Sequence, residues 1–462
     1  MRAGFWSKRT INAGPAFFCW LLNYLYVPIN KIISMTQNEP DSVQSNASSI
    51  GPTLIIGGLF FIFGFVTWLN STLVQYLRIA CELSTFQSFF VTFAFYISYF
   101  IMALPASALL RKVGFKNGMM VGLLIMAFGA VLFIPAAHTR TYGIFLTGLF
   151  IIGTGLSILQ TATNPYITRL GPIESAAQRI SIMGICNKIA GASAPVILGA
   201  LILSDADHLV KQLQDADVVQ KAALLNELAS RVILPYGGMA VVLTCLAGLV
   251  KLSSLPDIDD ETESEVTTPG TSVNTSIFQF PNLILGTIAL FLYVGVEVMA
   301  GDTIGIYGQA INIPLSQARF FPFFTLSAMV VGYLIGIFAI PKYVTQSKAL
   351  LYSAVLGVIL SVLAIITHGY LSVFFIAVLG LANALMWPAI WPLALDGLGK
   401  FTKTGSAFLI MAIVGGALLP PLWGKLADIS FIGYQQAYWI LVPCYLFILF
   451  YSTKGSKIKA WF

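Results

Sequence analysis

Charge is what this chain has least of. Of 462 residues, 10% are Asp, Glu, Lys or Arg, against 57% that are hydrophobic. Soluble domains carry about 25% charged residues, so a water-exposed fold of this length has too little polar surface to cover it. The composition points to an all-α polytopic membrane protein. The chain has 3 histidines and 5 cysteines. Cys19, Cys81, Cys186, Cys245 and Cys444 are scattered, with no metal-ligand or redox spacing, and read as small apolar fillers. His138, His208 and His368 stand apart at loops or helix ends. No Ser/His/Asp arrangement, phosphate-binding glycine loop or metal cluster is legible, so no cofactor is expected and a membrane-embedded enzyme is disfavoured. The net charge of +6 does not signal nucleic acid, because the basic residues lie in short loops between apolar runs.

What is present is a series of apolar runs, each near the roughly 20 residues a membrane-spanning helix needs. They predict spans over 53–78, 86–110, 117–137, 142–168, 179–203 and 231–253. After a break come 282–308, 318–340, 348–367, 371–395, 404–427 and 434–453. The expected organisation is an N-terminal extension (1–52), a six-helix bundle (53–253), a linker (254–281), a second six-helix bundle (282–453) and a short tail (454–462). The linker holds Asp257, Asp259, Asp260, Glu261, Glu263 and Glu265 among Ser and Thr, a flexible solvated composition. Residues 1–34 contain a short apolar run, Ala13 to Ile29, interrupted by Pro15, Asn23 and Pro28. It reads as a signal sequence, an extra span or an interfacial extension ahead of a start at Met35. Segment 204–230, with Leu209, Leu213, Leu224 and Leu228, predicts an amphipathic helix on the outer surface.

Basic residues set orientation. Arg111, Lys112, Lys116, Arg169, Arg179, Lys342, Lys348, Lys400, Lys403, Lys454, Lys457 and Lys459 all fall on one side if both termini are cytoplasmic. The two halves also echo each other. Gly191-x3-Pro195-x3-Gly199 in span five matches Gly416-x3-Pro420-x3-Gly424 in span eleven, the mark of a parallel internal repeat.

Polar groups inside apolar helices are costly unless they face a partner or a wet cavity. Gln160 and Asn164, four apart, share a face of span four. Asn187 sits beside Lys188 in span five; Asn70 and Gln75 lie in span one. Asn383, Trp387 and Trp391 recur every four residues and are expected to share a face of span ten. Amides that hydrogen-bond a polar solute and aromatic faces that cover its apolar surface are what a small-molecule site requires. Interhelical packing is the competing reading for each. Glu297, mid-way along span seven, and Asp302, nearer its outer end, are the expected ion-coupling carboxyls; an ion pair with a cation such as Lys188 is the alternative for Glu297. Tyr307 and Gln309 are candidate gate residues.

Several stretches resemble the fucose–proton symporter family of the major facilitator superfamily, which includes bacterial glucose/galactose permeases. They are Leu69-Asn70, Lys112-Val-Gly-Phe-Lys-Asn-Gly118, Leu159-Gln-Thr-Ala-Thr-Asn-Pro-Tyr166, Arg179 through Asn187, Tyr293-Val-Gly-Val-Glu297-Val, Met386-Trp-Pro-Ala-Ile390, Leu395-Asp-Gly-Leu-Gly399 and Met411-Ala-Ile-Val-Gly-Gly-Ala417. The resemblance implies two pseudo-symmetric six-helix bundles, rocker-type alternating access and a sugar site at mid-membrane. It also implies proton coupling through acids in helices one and four. Here Ser71 and Gln160 stand at those points, and neither side chain carries a titratable proton. The expectation is an importer of a hexose or deoxyhexose in the bacterial inner membrane. Its partners would be the lipid bilayer and a coupling proton or sodium ion, and the protein would act as a monomer. A facilitative uniporter, a carrier of another small polar solute and a non-transporting nutrient sensor are the alternatives.

Overall fold

A computed structural model describes residues 50–169, 176–203, 205–253, 276–340 and 343–461. Contacts divide the chain into Met1–Ile50 and Gly51–Phe462, and the helices below form the second unit. The expectations for residues 1–49 and for linker residues 254–275 fall outside the described set.

Eleven described stretches are helical, apolar and long enough to cross a bilayer. One of them, Thr85–Thr139, is 55 residues long. At about 1.5 Å per residue that is roughly 80 Å, far more than the ~30 Å hydrocarbon core. Its backbone leaves helical geometry at Gly114 (φ 77°, ψ 167°), a region open essentially to glycine alone. The stretch therefore makes two crossings, and the described residues make twelve.

We number these α1 (Ile50–Ala80), α2 (90–113), α3 (115–131), α4 (Tyr142–Arg169), α5 (Ala176–Ile202), α6 (Ile233–Leu252), α7 (Pro281–Asp302) and α8 (Phe321–Ala339). Then come α9 (Gln346–Ile366), α10 (Gly369–Leu395), α11 (Thr402–Met411 continuing as Gly415–Ala427) and α12 (Leu441–Thr453). Apolar side chains cannot drive helices together in lipid as they do in water, so close backbone approach matters more. Gly64 of α1 lies where a Cβ would sit 1.8 Å from the Asn187 carbonyl oxygen of α5, and Gly415 of α11 is placed the same way, at 1.8 Å, against the Phe291 carbonyl of α7. The first and fifth helices of each half thus meet at a bare-backbone contact, but the glycine belongs to the first helix in one half and the fifth in the other. Between the halves, α5 packs on α8 and α2 on α11.

Segment 204–230 is not one amphipathic helix. It forms two, Ala206–Asp215 and Val218–Ser230. Ala216 is extended (ψ 141°), and the Asp217 side chain accepts from the Gln220 N–H to start the second helix. Leu209, Leu225 and Leu228 are buried.

The loops at one end are tied together by basic residues. Lys116 Nζ donates to the Ser253 carbonyl at 2.7 Å, Lys251 Nζ to Asn117 Oδ1 at 3.1 Å, and Lys459 Nζ to Asp396 Oδ2 at 2.6 Å. This basic end is opposite the end that carries 204–230.

Candidate functional site: a polar and aromatic belt between the halves

The centre of the belt is an ion pair between the halves. Lys188 Nζ of α5 is 2.6 Å from Glu297 Oε1 of α7, and the two side chains are 11% and 8% exposed. A lone charge at this depth would be strongly unfavourable, and pairing offsets that. The ammonium also stands 5.4 Å from the ring centroid of Trp68 on α1, within cation–π range. Tyr96, Tyr293, Tyr333 and Tyr445, from α2, α7, α8 and α12, lie within electrostatic reach of Glu297.

Trp68 is buried between two glycines. A Cβ on Gly191 (α5) would meet its Cδ1 at 2.5 Å, and one on Gly301 (α7) its Cζ3 at 2.4 Å. These glycines follow Lys188 by three residues and Glu297 by four. The wedge therefore lies one turn from the ion pair, on the side away from the basic end.

Beyond the wedge the halves are closed against each other. Thr92 Oγ1 of α2 donates to Asp302 Oδ2 at 2.9 Å, and Gln309 Nε2 donates to Gln75 Oε1 at 3.2 Å. Farther out, Arg78 Nη2 donates to the Tyr434 hydroxyl at 3.2 Å, and the Phe86 N–H to Asp428 Oδ2 at 2.9 Å. Asp207 Oδ1 accepts from the Ser316 N–H at 3.2 Å. Phe89 meets Trp423 edge-on, centroids 5.7 Å apart.

The other amides and aromatics fall into two groups. In the N-terminal half, Gln160 Nε2 donates to the Tyr99 hydroxyl at 3.3 Å, and Tyr99 stacks on Tyr96 at 6.2 Å. Since Tyr96 also reaches both Glu297 and Asp302 electrostatically, the α4 amide connects to the α7 carboxyls through two aromatic rings. Asn187 is half-buried and its Nδ2 donates to the Phe60 carbonyl at 3.2 Å. Asn164 belongs to α4, but its side chain lies outside the described set. In the C-terminal half, Trp387 and Trp391 are half-buried and stacked, centroids 5.3 Å apart and planes 26° apart, and Trp387 lies 6.4 Å from the Tyr293 ring.

Three further candidate residues are placed as follows. The turn Ala384–Leu385 interrupts α10, so Asn383 does not share one unbroken helical face with the tryptophans. It is fully buried and its Oδ1 accepts from the Tyr445 hydroxyl at 2.8 Å. Asn70 is buried, with its Nδ2 unpartnered in this state. Gln75 belongs to the closed end, not to the belt. Trp68, Thr92, Tyr96 and Tyr99 were not singled out by the sequence. Thr92, Tyr96 and Tyr99 recur at helical spacing and share one face of α2, which is the signal that carries them.

The whole-chain comparisons agree with this architecture. The model of the Major Facilitator Superfamily matches residues 10–195 and 56–420. The chain belongs to that superfamily and, within it, to the fucose–proton symporter family of fucose, glucose and galactose permeases. It is 37% identical to a glucose/galactose transporter of Brucella abortus biovar 1 (strain 9-941), over 86% of this chain and 92% of that protein. It is 30% identical to an L-fucose-proton symporter of Escherichia coli (strain K12), over 84% and 90%. Among solved structures, FucP in the outward conformation superposes with a TM-score of 0.68 at 27% identity, covering 89% of this chain and all of that one.

Proposed function

We propose that the protein imports a hexose or deoxyhexose by alternating access, coupled to a monovalent cation. The carrying observation is that amides and aromatic faces from both halves gather at the level of a buried charge pair joining those halves. Gln160 and Asn187 supply hydrogen-bonding groups from the N-terminal half, and Asn164, four residues beyond Gln160 in the sequence, is proposed to add another. Trp387 and Trp391 offer stacked faces from the other. Asn70 would join them when the closed end opens, and Gln75 lies on the route in. Asn383 orients α12 through Tyr445. Glu297 and Asp302 are the carboxyls available for coupling, since Ser71 and Gln160 cannot hold a proton. Binding biases the inward/outward equilibrium and breaks no bond. The relatives' names, a glucose/galactose transporter and a fucose-proton symporter, support the substrate class. We place the protein as a monomer in the bacterial inner membrane, basic end and both termini cytoplasmic, following the loop charges. The end closed in this structure is then the outer one.

A second reading, facilitative uniport, is favoured by one observation: Glu297 is already neutralised by Lys188. Counterflow of labelled glucose, galactose and fucose in proteoliposomes, alongside uptake under imposed proton or sodium gradients, separates the readings. Exchange with gradient-driven accumulation is expected. Exchange without accumulation establishes the uniporter, and no exchange of any sugar overturns the assignment.

A further inference from the structure

We propose that Lys188 is the displacing cation of the cycle: its ammonium and the coupling ion occupy Glu297 in turn. This rests on the transport reading above. The pair joins α5 of one half to α7 of the other. It lies one turn from the contact of Trp68 with Gly301, which must part whenever the closed end opens. Movement that withdraws Gly301 from Trp68 carries Glu297, on the same helix, away from Lys188.

The separated charges then differ in what they can find. Lys188 keeps the face of Trp68, which stays with it in the N-terminal half. Among the described residues, no other cation is paired with Glu297. Within electrostatic reach of it are Tyr96 from α2, Tyr333 from α8, Tyr445 from α12 and Tyr293 from its own helix. These are neutral hydroxyls. A carboxylate so placed attracts a monovalent cation, a proton or sodium. Among the described residues the buried carboxyls are Glu297 and Asp302, and Asp302 is held by Thr92. The site at Glu297 is thus created by opening and filled by lysine on closing.

The step balances. In the open state Glu297 takes up one proton, becoming a carboxylic acid, or binds one sodium ion. On closure the Lys188 ammonium returns to the carboxylate. The proton passes to water, or the sodium ion leaves, on the side that is then open. One cation moves per cycle, and it cannot ride back because lysine holds its place.

The test uses the purified full chain and the same chain in proteoliposomes. Intrinsic tryptophan fluorescence is titrated with pH in sodium-free buffer and with sodium at fixed pH, which distinguishes the two ions. Lys188→Gln removes the competitor, so the apparent affinity for the coupling ion should rise roughly tenfold or more, equivalent to about 1.4 kcal/mol. In proteoliposomes the same variant should lose gradient-driven accumulation far more than counterflow. Unchanged ion affinity, or accumulation at the parental level, overturns the proposal. If Lys188→Gln does not fold, the neutral pair Lys188→Gln/Glu297→Gln serves. Loss of ion dependence in that variant supports the proposal, and gradient-driven accumulation by it overturns the proposal. Failure of the parental chain to exchange any sugar would sink the transport reading separately, leaving the ion titration still decisive.

Discussion

At the scale of single residues, the paired aromatics offer the cleanest measurement. Trp387 stacks on Trp391 and touches Tyr293, and aromatic pairs contribute about 0.5–1.5 kcal/mol beyond their buried area. Trp387→Ala should raise the sugar concentration for half-maximal counterflow by roughly two- to tenfold, while Trp387→Phe should recover most of it. Equal behaviour of the two variants would remove the stacking role. Thr92→Val, which strips the hydroxyl from the buried Asp302, should lower the melting temperature, since an orphaned buried acceptor costs about 1–3 kcal/mol. Glu297 was legible in the sequence because a carboxyl in an apolar run has few benign explanations. Lys188 was named as its possible partner, and the pair is present, although no spacing rule joins residues across the halves. Trp68 was not legible, and Tyr96 and Tyr99 were legible only as a face of α2 that they share with Thr92. Aromatic residues in membrane helices face lipid as readily as a site, and their direction depends on packing that spacing does not encode. The four-residue rule that grouped Asn383 with the tryptophans assumes an unbroken helix, and α10 is interrupted at Ala384–Leu385.

At the scale of elements, hydropathy found all twelve crossings, because each backbone group in lipid must be satisfied within its own helix. It could not find the break between the two helices of 204–230. The leucine pattern continues across it, while Ala216 turns extended and the Asp217 cap starts the second helix. The crossing from α2 to α3 depends on one backbone angle. Gly114→Ala places a side chain at φ 77°, and strain of about 1–3 kcal/mol is expected. It should reduce the melting temperature of the detergent-solubilised protein. Gly58→Ala, where a Cβ meets nothing within 4 Å, should leave it unchanged. Equal melting of the two variants would mean that the loop absorbs the change.

At the scale of the whole molecule, closure at one end is a set of separable contacts. Gln75 is 1% exposed, so a cysteine there should react with an impermeant maleimide only when that end opens. Outward sugar should increase its labelling relative to the parental cysteines. Labelling that ignores sugar would argue against rocking of the halves. The outermost tie has a pH signature. Hydrogen bonds from Ser316 hold the Asp207 carboxyl below the usual carboxylate range. A group depressed in the folded state contributes stability above its unfolded pKa and loses it as pH falls through the depressed value. Acid below about pH 4 should therefore loosen this tie and raise labelling at the Gln75 cysteine, whereas moderate alkali should not.

The wedge at Trp68 has a pharmacological side. Opening that end uncovers the benzo edge of an indole and, facing it, a stretch of α7 bare of side chain at Gly301. A flat aromatic compound entering from outside could occupy that gap and prop the carrier open. Inhibition of this kind would not be relieved by raising the sugar concentration. It would also fall away in a Trp68→Leu variant, which leaves the sugar-facing amides intact.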